Sequence, residues 1–403
     1  MRLKFKTKGA RRLFILTTAV SIGLGLNASA FADDDPISDS PNFQTIRSTQ
    51  TISQNDFDIF RPKLQTKNTR FDFTLWDGLL GRIVVPFGPS LRRIAKKPKP
   101  LVGSKFIRGN RSKYRLEGNK VAYSRVSSEF FDAVTDYRGE LVRIANEQDF
   151  QSFNRDEQLA FWFNLHNVIL IDEIAKVYPV EKPSSQIKYG ADELPLHEAK
   201  LVTIKGVHLS LRDIRENIVY KNWSNPDVIY GFTHGDIGGP AIFVNAFSAD
   251  NLAYGLDHQA SEYVNSLRGV QARYNDRRIS RIYAEARPYF FNNWPADVET
   301  HIRKHAEDDT LEDINENRPL QFVDYDETLA DLWGGKRRFI PPGPVQFVND
   351  TNATLRLPPI LKERTDKFRE LIRKGYFDRD SEVIIEDVPA ENAGSTSFSG
   401  PNP

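Results

Sequence analysis

The stretch NRDEQLAFWFNLHNVILI, residues 154–171, decides the fold class because it predicts a long buried helix. Asn154 with Glu157 three residues later resembles a capping box, in which two side chains satisfy the first backbone N–H groups of a helix. Apolar residues then occupy nearly every helical face, which indicates that most of the helix is buried. The dipeptide Tyr178-Pro179 marks its end. We therefore predict a core helix over 156–177, with Glu157 in a structural role.

Shorter helices and strands surround this helix in the sequence. In chain order, the patterns predict an amphipathic helix over 130–144, a hairpin over 201–209 that turns at Lys205-Gly206, a helix capped by Ser210 and Asp213, a buried strand over 228–233, and a helix from Ser248 to about Leu267. Helices and strands mix without regular βαβ spacing. The predicted fold class is therefore α+β, with mixed helices and a small, mainly antiparallel sheet.

The chain divides into four predicted regions. Residues 1–32 are a signal peptide, 33–117 a leader with a basic extension, 118–332 the core domain, and 333–403 a Pro-rich extension with a disordered tail. The first region has a basic start, an apolar run too short to span a bilayer comfortably, and small residues near a cleavage site at residues 30–32. We therefore expect a periplasmic or secreted protein. Arg11-Arg12 leaves twin-arginine export open as an alternative route.

Composition excludes several classes of chemistry. The chain has no cysteine, which excludes disulfides, thiolate metal ligands and a thiol nucleophile. Without residues 1–32 it holds 49 basic and 54 acidic side chains, and this balance gives no indication of a nucleic-acid partner. The loop after His234 lacks the Gly-Lys-Ser/Thr of a phosphate-binding loop. We expect no cofactor and no nucleic acid.

A basic segment, residues 82–115, precedes the predicted core domain. Between Gly78 and Leu116 the chain has eleven basic residues and no acidic one. Such a segment could make peripheral contact with an anionic membrane or an acidic wall surface. It could instead lie on an acidic face of the same protein, which the acidic run 307–316 would supply. We favour the second interpretation.

Polar side chains inside the apolar helix are the first candidates for a site. Asn164 and Asn167 lie three residues apart on one side of the helix, whereas His166 points elsewhere. A buried amide or imidazole needs a hydrogen-bond partner. The simplest interpretation is that the two asparagines tie the helix to neighbouring backbone. The functional alternative is that they line a pocket, where an amide can orient a base or stabilise an oxyanion.

Two histidines further along the chain are the next candidates. His208 lies on the second strand of the predicted hairpin, where a single histidine is more often structural than catalytic. His234 follows a predicted strand and precedes Gly235-Asp236, and strand ends that open into Gly-rich loops often hold ligand groups. Two histidines with Asp236 could bind a metal, but no motif with metal-ligand spacing supports this. We therefore predict no metal site.

Three motifs together resemble the domain-of-unknown-function family 547 (DUF547). They are EQLAFWFNLHN at 157–167, KGVHLSLRDI at 205–214 and YGFTHGDIGGP at 230–240. SRIY at 280–283 and FVDYDETL at 322–329 resemble later elements of the family, so the resemblance covers about residues 118–332. It implies an exported protein of the bacterial type, and the family's name states no established activity.

The resemblance carries over unevenly to single residues. Four positions hold the residue types that the family usually has: Asn164, Asn167, His208 and Asp213. Four positions depart from the family pattern. This chain has His166 where the family more often has Tyr, Arg215 where it often has Glu, and His234 and Gly239 where it often has two cysteines. The last two departures put any thiol-based activity of relatives in doubt here.

A fold-level analogy extends the resemblance. A buried helix with the first polar group, then a His on a strand, then an acid is an order similar to papain-like and transglutaminase-like folds. In those folds a Cys begins the helix, and an Asn cannot replace it as a nucleophile.

These observations give one leading function and two alternatives. The leading hypothesis is an exported envelope protein with a polar pocket for a small or polymeric envelope ligand, acting as a hydrolase or transferase on amide or ester bonds if it is an enzyme. Its candidate catalytic residues are His208 as base with Asn164 and Asn167, and its candidate substrate-binding residues are His166, Asp213, His234 and Asp236. The alternatives are a non-catalytic envelope interaction protein that uses the basic segment, and a metal-dependent hydrolase.

Overall fold

Helices dominate the computed structural model, which describes residues 54–98, 109–315, 318–336 and 358–377. The α-helices are α1 (Thr74–Ile83), α2 (Ser128–Glu147), α3 (Arg155–Val177), α4 (Pro183–Gln186), α5 (Leu252–Val264), α6 (Ile282–Phe290), α7 (Ala296–His305), α8 (Asp308–Asn315) and α9 (Pro359–Arg373). A π-helix covers Asp213–Tyr220, and 3-10 helices cover Gln54–Phe60, Tyr123–Arg125, Phe150–Ser152 and Pro226–Gly231. In the part of the chain that the structure describes, none of the helices combines the length and the apolar composition that a membrane span requires. The predicted signal peptide and the tail 394–403 lie outside the described residues.

The predicted core helix is confirmed as α3. Every residue from Glu157 to Ile174 is buried, as the apolar pattern on all faces predicted. The Asn154 side chain caps the helix by accepting a hydrogen bond from the Asp156 N–H at 2.8 Å. The capping box itself was a wrong prediction, because the Glu157 carboxylate instead accepts from the backbone N–H of Phe71 at 3.1 Å. Glu157 is structural, but it fastens a preceding segment rather than its own helix.

The strands are short and mainly antiparallel. They form the pairs β1 (Val84–Val85) with β2 (Lys120–Val121), β3 (Lys188–Tyr189) with β4 (Leu194–Pro195) and β5 (Val202–Ile204) with β6 (Val207–Leu209), and the three-stranded sheet of β7 (Val270–Ala272), β8 (Arg277–Ile279) and β9 (Leu320–Phe322). Only the β8–β9 pairing in these sheets is parallel. The predicted hairpin is confirmed as β5–β6, and Lys205 and Gly206 both have positive φ, as a tight two-residue turn requires. The α+β class is therefore confirmed.

The apolar run 228–233 is not a strand, and that prediction was wrong. Most of it forms the 3-10 helix Pro226–Gly231. The Asn225 side chain accepts from the Asp227 N–H at 3.1 Å, and Pro226 favours the first helical position, so the two residues together start a helical turn. A short apolar run fits a buried strand and a buried helical turn equally well, and the residues before it decide between them.

The helix predicted from Ser248 begins slightly later. Ser248 Oγ accepts a hydrogen bond from the Asn251 N–H at 3.3 Å, and α5 follows from Leu252 to Val264. The helix predicted after Ser210 is confirmed with its cap. The Asp213 carboxylate accepts from the Ser210 N–H at 2.7 Å, and Ser210 Oγ accepts from the Asp213 N–H at 3.1 Å.

Segments on both sides of the family-like region pack against it. Trp76 and Ile83 of α1 are fully buried in the same core cluster as α3. Phe87 packs in a second cluster with Trp333 and with Ile360 of α9. The packed part of the chain therefore starts well before residue 118 and includes α9 after residue 332.

The basic segment is partly neutralised within the chain. Arg92 binds Asp313 of the predicted acidic run, and it also bonds Thr310 Oγ1 at 2.8 Å. Arg93 and Arg115 instead bind Glu370 and Glu363 of α9, at 2.6 and 2.7 Å. Other members of the predicted pattern, among them Lys99 and Glu316, lie outside the described residues. The pairs support contact with an acidic face of the same protein, and α9 supplies most of that face.

Candidate functional site

The two asparagines of α3 bind backbone. Asn164 donates to the Phe247 carbonyl at 2.7 Å and accepts from the Phe247 N–H at 3.0 Å. Asn167 donates to the Gly231 carbonyl at 3.0 Å and accepts from the Thr233 N–H at 3.1 Å. Each side-chain amide thus bonds one backbone N–H and one backbone C=O of a segment that crosses the helix. These backbone groups have no partners in a helix or a sheet there. This is the structural interpretation of the two side chains.

His208 and Asp213 lie apart from these asparagines. The His208 side chain is exposed on β6, and its Nδ1 hydrogen-bonds Thr203 Oγ1 on the opposite strand at 2.8 Å. Asp213 caps its helix and forms an ion pair with Lys200. No hydrogen bond joins any two of Asn164, Asn167 and His208, all of which the structure describes. The expected grouping of a base with two amides is therefore not found.

A different set of polar groups converges around one buried arginine. Arg215 Nη1 lies 3.2 Å from both His166 Nε2 and His197 Nδ1. Its Nε donates to Glu285 Oε1 at 2.8 Å. The His234 ring stands 5.5 Å from the His197 ring, measured between centroids. We call these five residues the histidine–arginine cluster. It contains two of the predicted substrate-binding residues, His166 and His234.

Several distant elements build the cluster. His166 lies on α3, Arg215 on the π-helix and Glu285 on α6, while His197 and His234 lie in loops after β4 and after the 3-10 helix Pro226–Gly231. His197, Arg215 and Glu285 were not among the predicted site residues. One signal was present, because Arg215 stands where the related family often has Glu, and a buried arginine needs an acidic partner.

The arginine fixes the protons on two imidazoles. A guanidinium only donates hydrogen bonds, so His166 Nε2 and His197 Nδ1 must both be unprotonated acceptors. The proton of His166 then lies on Nδ1, 3.1 Å from Asn167 Oδ1. The proton of His197 lies on Nε2, 3.2 Å from both Ser184 Oγ and the His234 carbonyl. Both rings are therefore neutral and held in opposite tautomers.

The three imidazoles share a direction of pKa shift. Burial lowers the pKa of His166, His197 and His234 well below 6.5, and the positive charge of Arg215 lowers each pKa further. The unfolded chain takes up these protons as the pH falls through about 6.5, whereas the folded chain does not. The contribution of these histidines to stability is therefore present above that pH and is lost progressively below it.

We expect His166 and His197 to stay neutral at about pH 5.5, a unit below the ordinary histidine value. His166 should carry its proton on Nδ1 and His197 on Nε2, because Arg215 occupies the other nitrogens. Long-range ¹H–¹⁵N spectra of the ring nitrogens distinguish the two tautomers and the imidazolium form. In Arg215→Met the pKa of both rings should rise, since a positive neighbour is gone. An imidazolium at either position in the unmodified protein, or exchanged tautomers, would contradict the assignment.

Ser184 lies beside the cluster but is not activated as a nucleophile. Its hydroxyl donates to Asp236 Oδ2 at 2.5 Å. The His197 nitrogen that faces Ser184 already carries a proton, so it cannot accept the serine proton. Burial raises the pKa of Asp236 well above its ordinary value. Asp236, a predicted substrate-binding residue, therefore holds Ser184 in place beside His197.

His234 occupies the outer edge of the cluster. The residue is buried, with 9% of its surface exposed, and its Nδ1 lies 3.3 Å from the Tyr325 hydroxyl. Its Nε2 has no hydrogen-bond partner among the described residues. The Arg281 guanidinium lies over the Tyr325 ring, 3.8 Å from the centroid, and the Arg281 side chain is 43% exposed. We call His234, Tyr325 and Arg281 the mouth of the cluster.

The loop behind the mouth is closely packed. A Cβ atom on Gly239 would lie 2.6 Å from His234 Cβ and 2.9 Å from the Tyr325 hydroxyl. Position 239 therefore has no room for the cysteine that relatives often have there unless His234 and Tyr325 move. A cavity beside Thr233 and Gly235 measures about 10 Å³, which holds one water at most. A ligand of this cluster would have to bind at the mouth.

A second carboxyl group, that of Glu216, interacts with Glu285 of the cluster. Burial, followed by the charge of Glu285, raises the pKa of Glu216 to about 7. Tyr289 donates a hydrogen bond to Glu216 at 3.3 Å, and Arg212 lies 3.4 Å from its other oxygen. Burial disfavours the charge of Glu285 as well, but the charge and hydrogen bond of Arg215 outweigh burial and lower the pKa of Glu285. The two carboxyl groups therefore titrate at well-separated pH values.

One family model matches part of the chain. Residues 150–264 match the model of a family described as "Protein of unknown function, DUF547", which confirms the resemblance over that stretch. No curated protein matches the chain. No solved structure matches it either.

Proposed function

We propose that this chain, whose residues 150–264 match a family of unknown function, is an exported hydrolase of ester or amide bonds. His234 is its general base. The observation that supports this proposal is the state of His234. Burial and the charge of Arg215 keep its ring neutral, 9% of the residue's surface is exposed, and its Nε2 has no hydrogen-bond partner among the described residues. A neutral imidazole with a free nitrogen can take a proton from water in the transition state.

Water is the nucleophile in this proposal. The chain has no cysteine, and the Ser184 hydroxyl is committed to Asp236. His234 can act as the base only if its proton lies on Nδ1 and is donated to the Tyr325 hydroxyl, which leaves Nε2 free. Burial raises the pKa of Tyr325 well above its ordinary value, so the hydroxyl keeps its own proton, and a lone pair of its oxygen would accept the bond from His234 Nδ1–H.

Arg281 supplies the positive charge at the mouth. Its guanidinium is stacked on Tyr325, and its nearest recorded acidic partner is Glu327 at 3.8 Å, beyond hydrogen-bond distance. A partly exposed guanidinium can bind the oxyanion that develops when water attacks a carbonyl. The proposed substrate is therefore an ester or amide of a small or polymeric envelope ligand, with the scissile carbonyl oxygen directed at Arg281.

The test is hydrolysis of 4-nitrophenyl esters and 4-nitroanilides by the full chain. His234→Gln should lower kcat by about 100-fold or more, because the base is lost. The matched control is His208→Gln, which removes an exposed histidine outside the cluster and should leave kcat unchanged. The rate should stay level as the pH falls through 6.5, because the pKa of His234 lies well below that value.

Several outcomes would refute the hydrolase. They are no turnover of any substrate in either series, activity that depends on His208 rather than His234, or a covalent acyl-enzyme found by mass spectrometry. Reaction in ¹⁸O-water should place one labelled oxygen in the carboxylate product by either route, so mass spectrometry of the enzyme decides between direct attack and an acyl-enzyme.

Export forms part of the proposal and rests on the first 32 residues alone. The basic start, the apolar run and the small residues before Asp33 support cleavage near residues 30–32. Determining the N-terminus of protein recovered outside the inner membrane tests this, and a retained Met1 would contradict it.

The alternative, an interaction protein that uses the basic segment, has less support. Arg92, Arg93 and Arg115 already bind acidic side chains of the same chain. Replacing Lys96 and Lys97 by serine leaves those ion pairs intact. Loss of association with vesicles that contain anionic lipid in this double variant would favour the alternative.

A further inference from the structure

The side chains of Asp227, His301 and His305 converge on one point outside the histidine–arginine cluster. One ligand-type atom from each lies within 4.8 Å of the other two, and all three residues are buried. Among the described residues, these three side chains form the group of histidine and acidic residues whose ligand-type atoms come this close together. We propose that it is a binding site for a first-row transition metal ion, with Zn²⁺ as the favoured ion.

The local structure explains the convergence. His301 and His305 are four residues apart on α7, so they lie on the same face of that helix. Asp227 is fixed from the other side, in the first turn of the 3-10 helix Pro226–Gly231, where the Asn225 side chain caps its N–H. The three side chains are thus held by two rigid elements that the hydrophobic core brings together.

The distances between the ligand atoms are close to those in a tetrahedral metal site. Ligands at about 2.1 Å from Zn²⁺ in tetrahedral geometry stand about 3.4 Å apart. Asp227 Oδ1 lies 2.8 Å from His305 Nε2 and 3.8 Å from His301 Nδ1, on either side of that value. Small side-chain rotations are enough to admit the ion. Three protein ligands leave the fourth position for water.

The opposite nitrogen of each imidazole already has an acceptor. His301 Nε2 lies 3.0 Å from the Tyr230 hydroxyl, and His305 Nδ1 lies 3.4 Å from Asp257 Oδ1. Metal-binding histidines characteristically donate their other N–H to such a partner, which fixes the ring and the tautomer. A simple ion pair accounts for His305, whereas His301 Nδ1 faces the same Asp227 oxygen at 3.8 Å, beyond hydrogen-bond distance.

One charged side chain near the site, Lys304, competes with a bound metal ion. Asp227 and Asp257 are acidic, whereas Lys304 binds the second oxygen of Asp227 at 2.5 Å. Two imidazoles and one carboxylate, without a thiolate, suit Zn²⁺ and its neighbours rather than Mg²⁺ or Ca²⁺. Lys304 competes with the ion for Asp227, so removing its charge should strengthen metal binding.

The test is titration of the chelator-treated full chain with Zn²⁺ by calorimetry. We expect one ion per chain with micromolar affinity or better, and Co²⁺ should give the visible absorption of a tetrahedral site. Lys304→Met should bind Zn²⁺ about tenfold more tightly. Asp257→Asn, a change at an exposed carboxylate, should bind it about tenfold more weakly. His258→Ala removes an exposed histidine of α5 and should change nothing.

The double variant His301→Asn/His305→Gln should lose the bound ion while it keeps the circular dichroism of the parent chain. If that variant does not fold, Lys304→Met and Asp257→Asn decide the question, because both keep all three ligands. The proposal is overturned if Zn²⁺ does not bind at about 100 µM, or if neither single variant changes its affinity. It shares no residue with the proposed hydrolase site, so each can fail alone.

Discussion

Trp76→Ala is expected to lower the free energy of unfolding by about 3–5 kcal/mol, the usual cost of truncating a buried aromatic side chain. Trp76 is fully buried on α1, and its ring stacks against Tyr137 of α2 with 6.0 Å between centroids. The substitution leaves a cavity between the early segment and the family-like region. Urea unfolding followed by circular dichroism measures the change.

The same argument predicts the effect of truncation. A chain that starts at residue 118 should not fold, whereas one that starts at residue 54 should. The shorter chain lacks α1 and also Phe71, whose N–H binds Glu157 of α3. The control is Leu75→Ala, next to Trp76 but 60% exposed, with an expected change within about 0.5 kcal/mol. A stable, cooperative chain starting at 118 would show that residues 54–117 are a separable leader.

Glu285→Ala should destabilise the protein by about 3–5 kcal/mol, because it leaves the buried guanidinium of Arg215 without a counter-charge. The side chains of Arg215 and Glu285 are 2% and 17% exposed, so solvent screens the pair little. The double variant Arg215→Met/Glu285→Leu should recover most of the loss, since it removes both charges together. The exposed pair of Glu140 with Arg143 supplies the control, and Glu140→Gln should change stability little.

The pH dependence of that loss has a definite sign. The pKa of Glu285 is lowered in the folded chain, so its stabilising contribution is present above the ordinary value of 4.5 and is lost as the pH falls through the folded pKa. The difference between parent and variant should therefore shrink in acid. Glu216 gives a second readout, because losing the Glu285 charge should bring its pKa down from about 7. A difference that grows in acid would contradict the assignment.

Local patterns in the sequence predicted the elements that local physics determines. The helix α3 follows from a long apolar run with an Asn cap and a Pro end, and the β5–β6 hairpin follows from alternation around Lys205-Gly206. The apolar run 228–233 gave a wrong prediction because its length and composition do not distinguish a strand from a helical turn. Asn225 and Pro226, which precede the run and start the turn, are the residues that indicate a helical turn rather than a strand.

The candidate site could be predicted only in part. His166 and His234 are visible as polar residues in apolar or Gly-rich surroundings, but the group that joins them is Arg215, on another helix. Its position beside His197 and Glu285 depends on packing between elements far apart in the chain, which spacing alone does not encode. The two asparagines stood out for the same reason as the histidines, because a buried polar side chain indicates a partner. It does not indicate whether that partner is a ligand or a carbonyl.

The attachment of α9 to the basic segment sets an order of events during chain synthesis. Arg93 meets Glu370 across 277 positions, Arg115 meets Glu363 across 248, and Lys367 donates to the Leu116 carbonyl across 251. The basic residues leave the ribosome first and must wait for almost all of the remaining chain before their partners exist. Contacts this distant in sequence form slowly, because a large loop has to close. In the nascent chain Arg93 and Arg115 therefore lack these carboxylate partners until α9 has been synthesised.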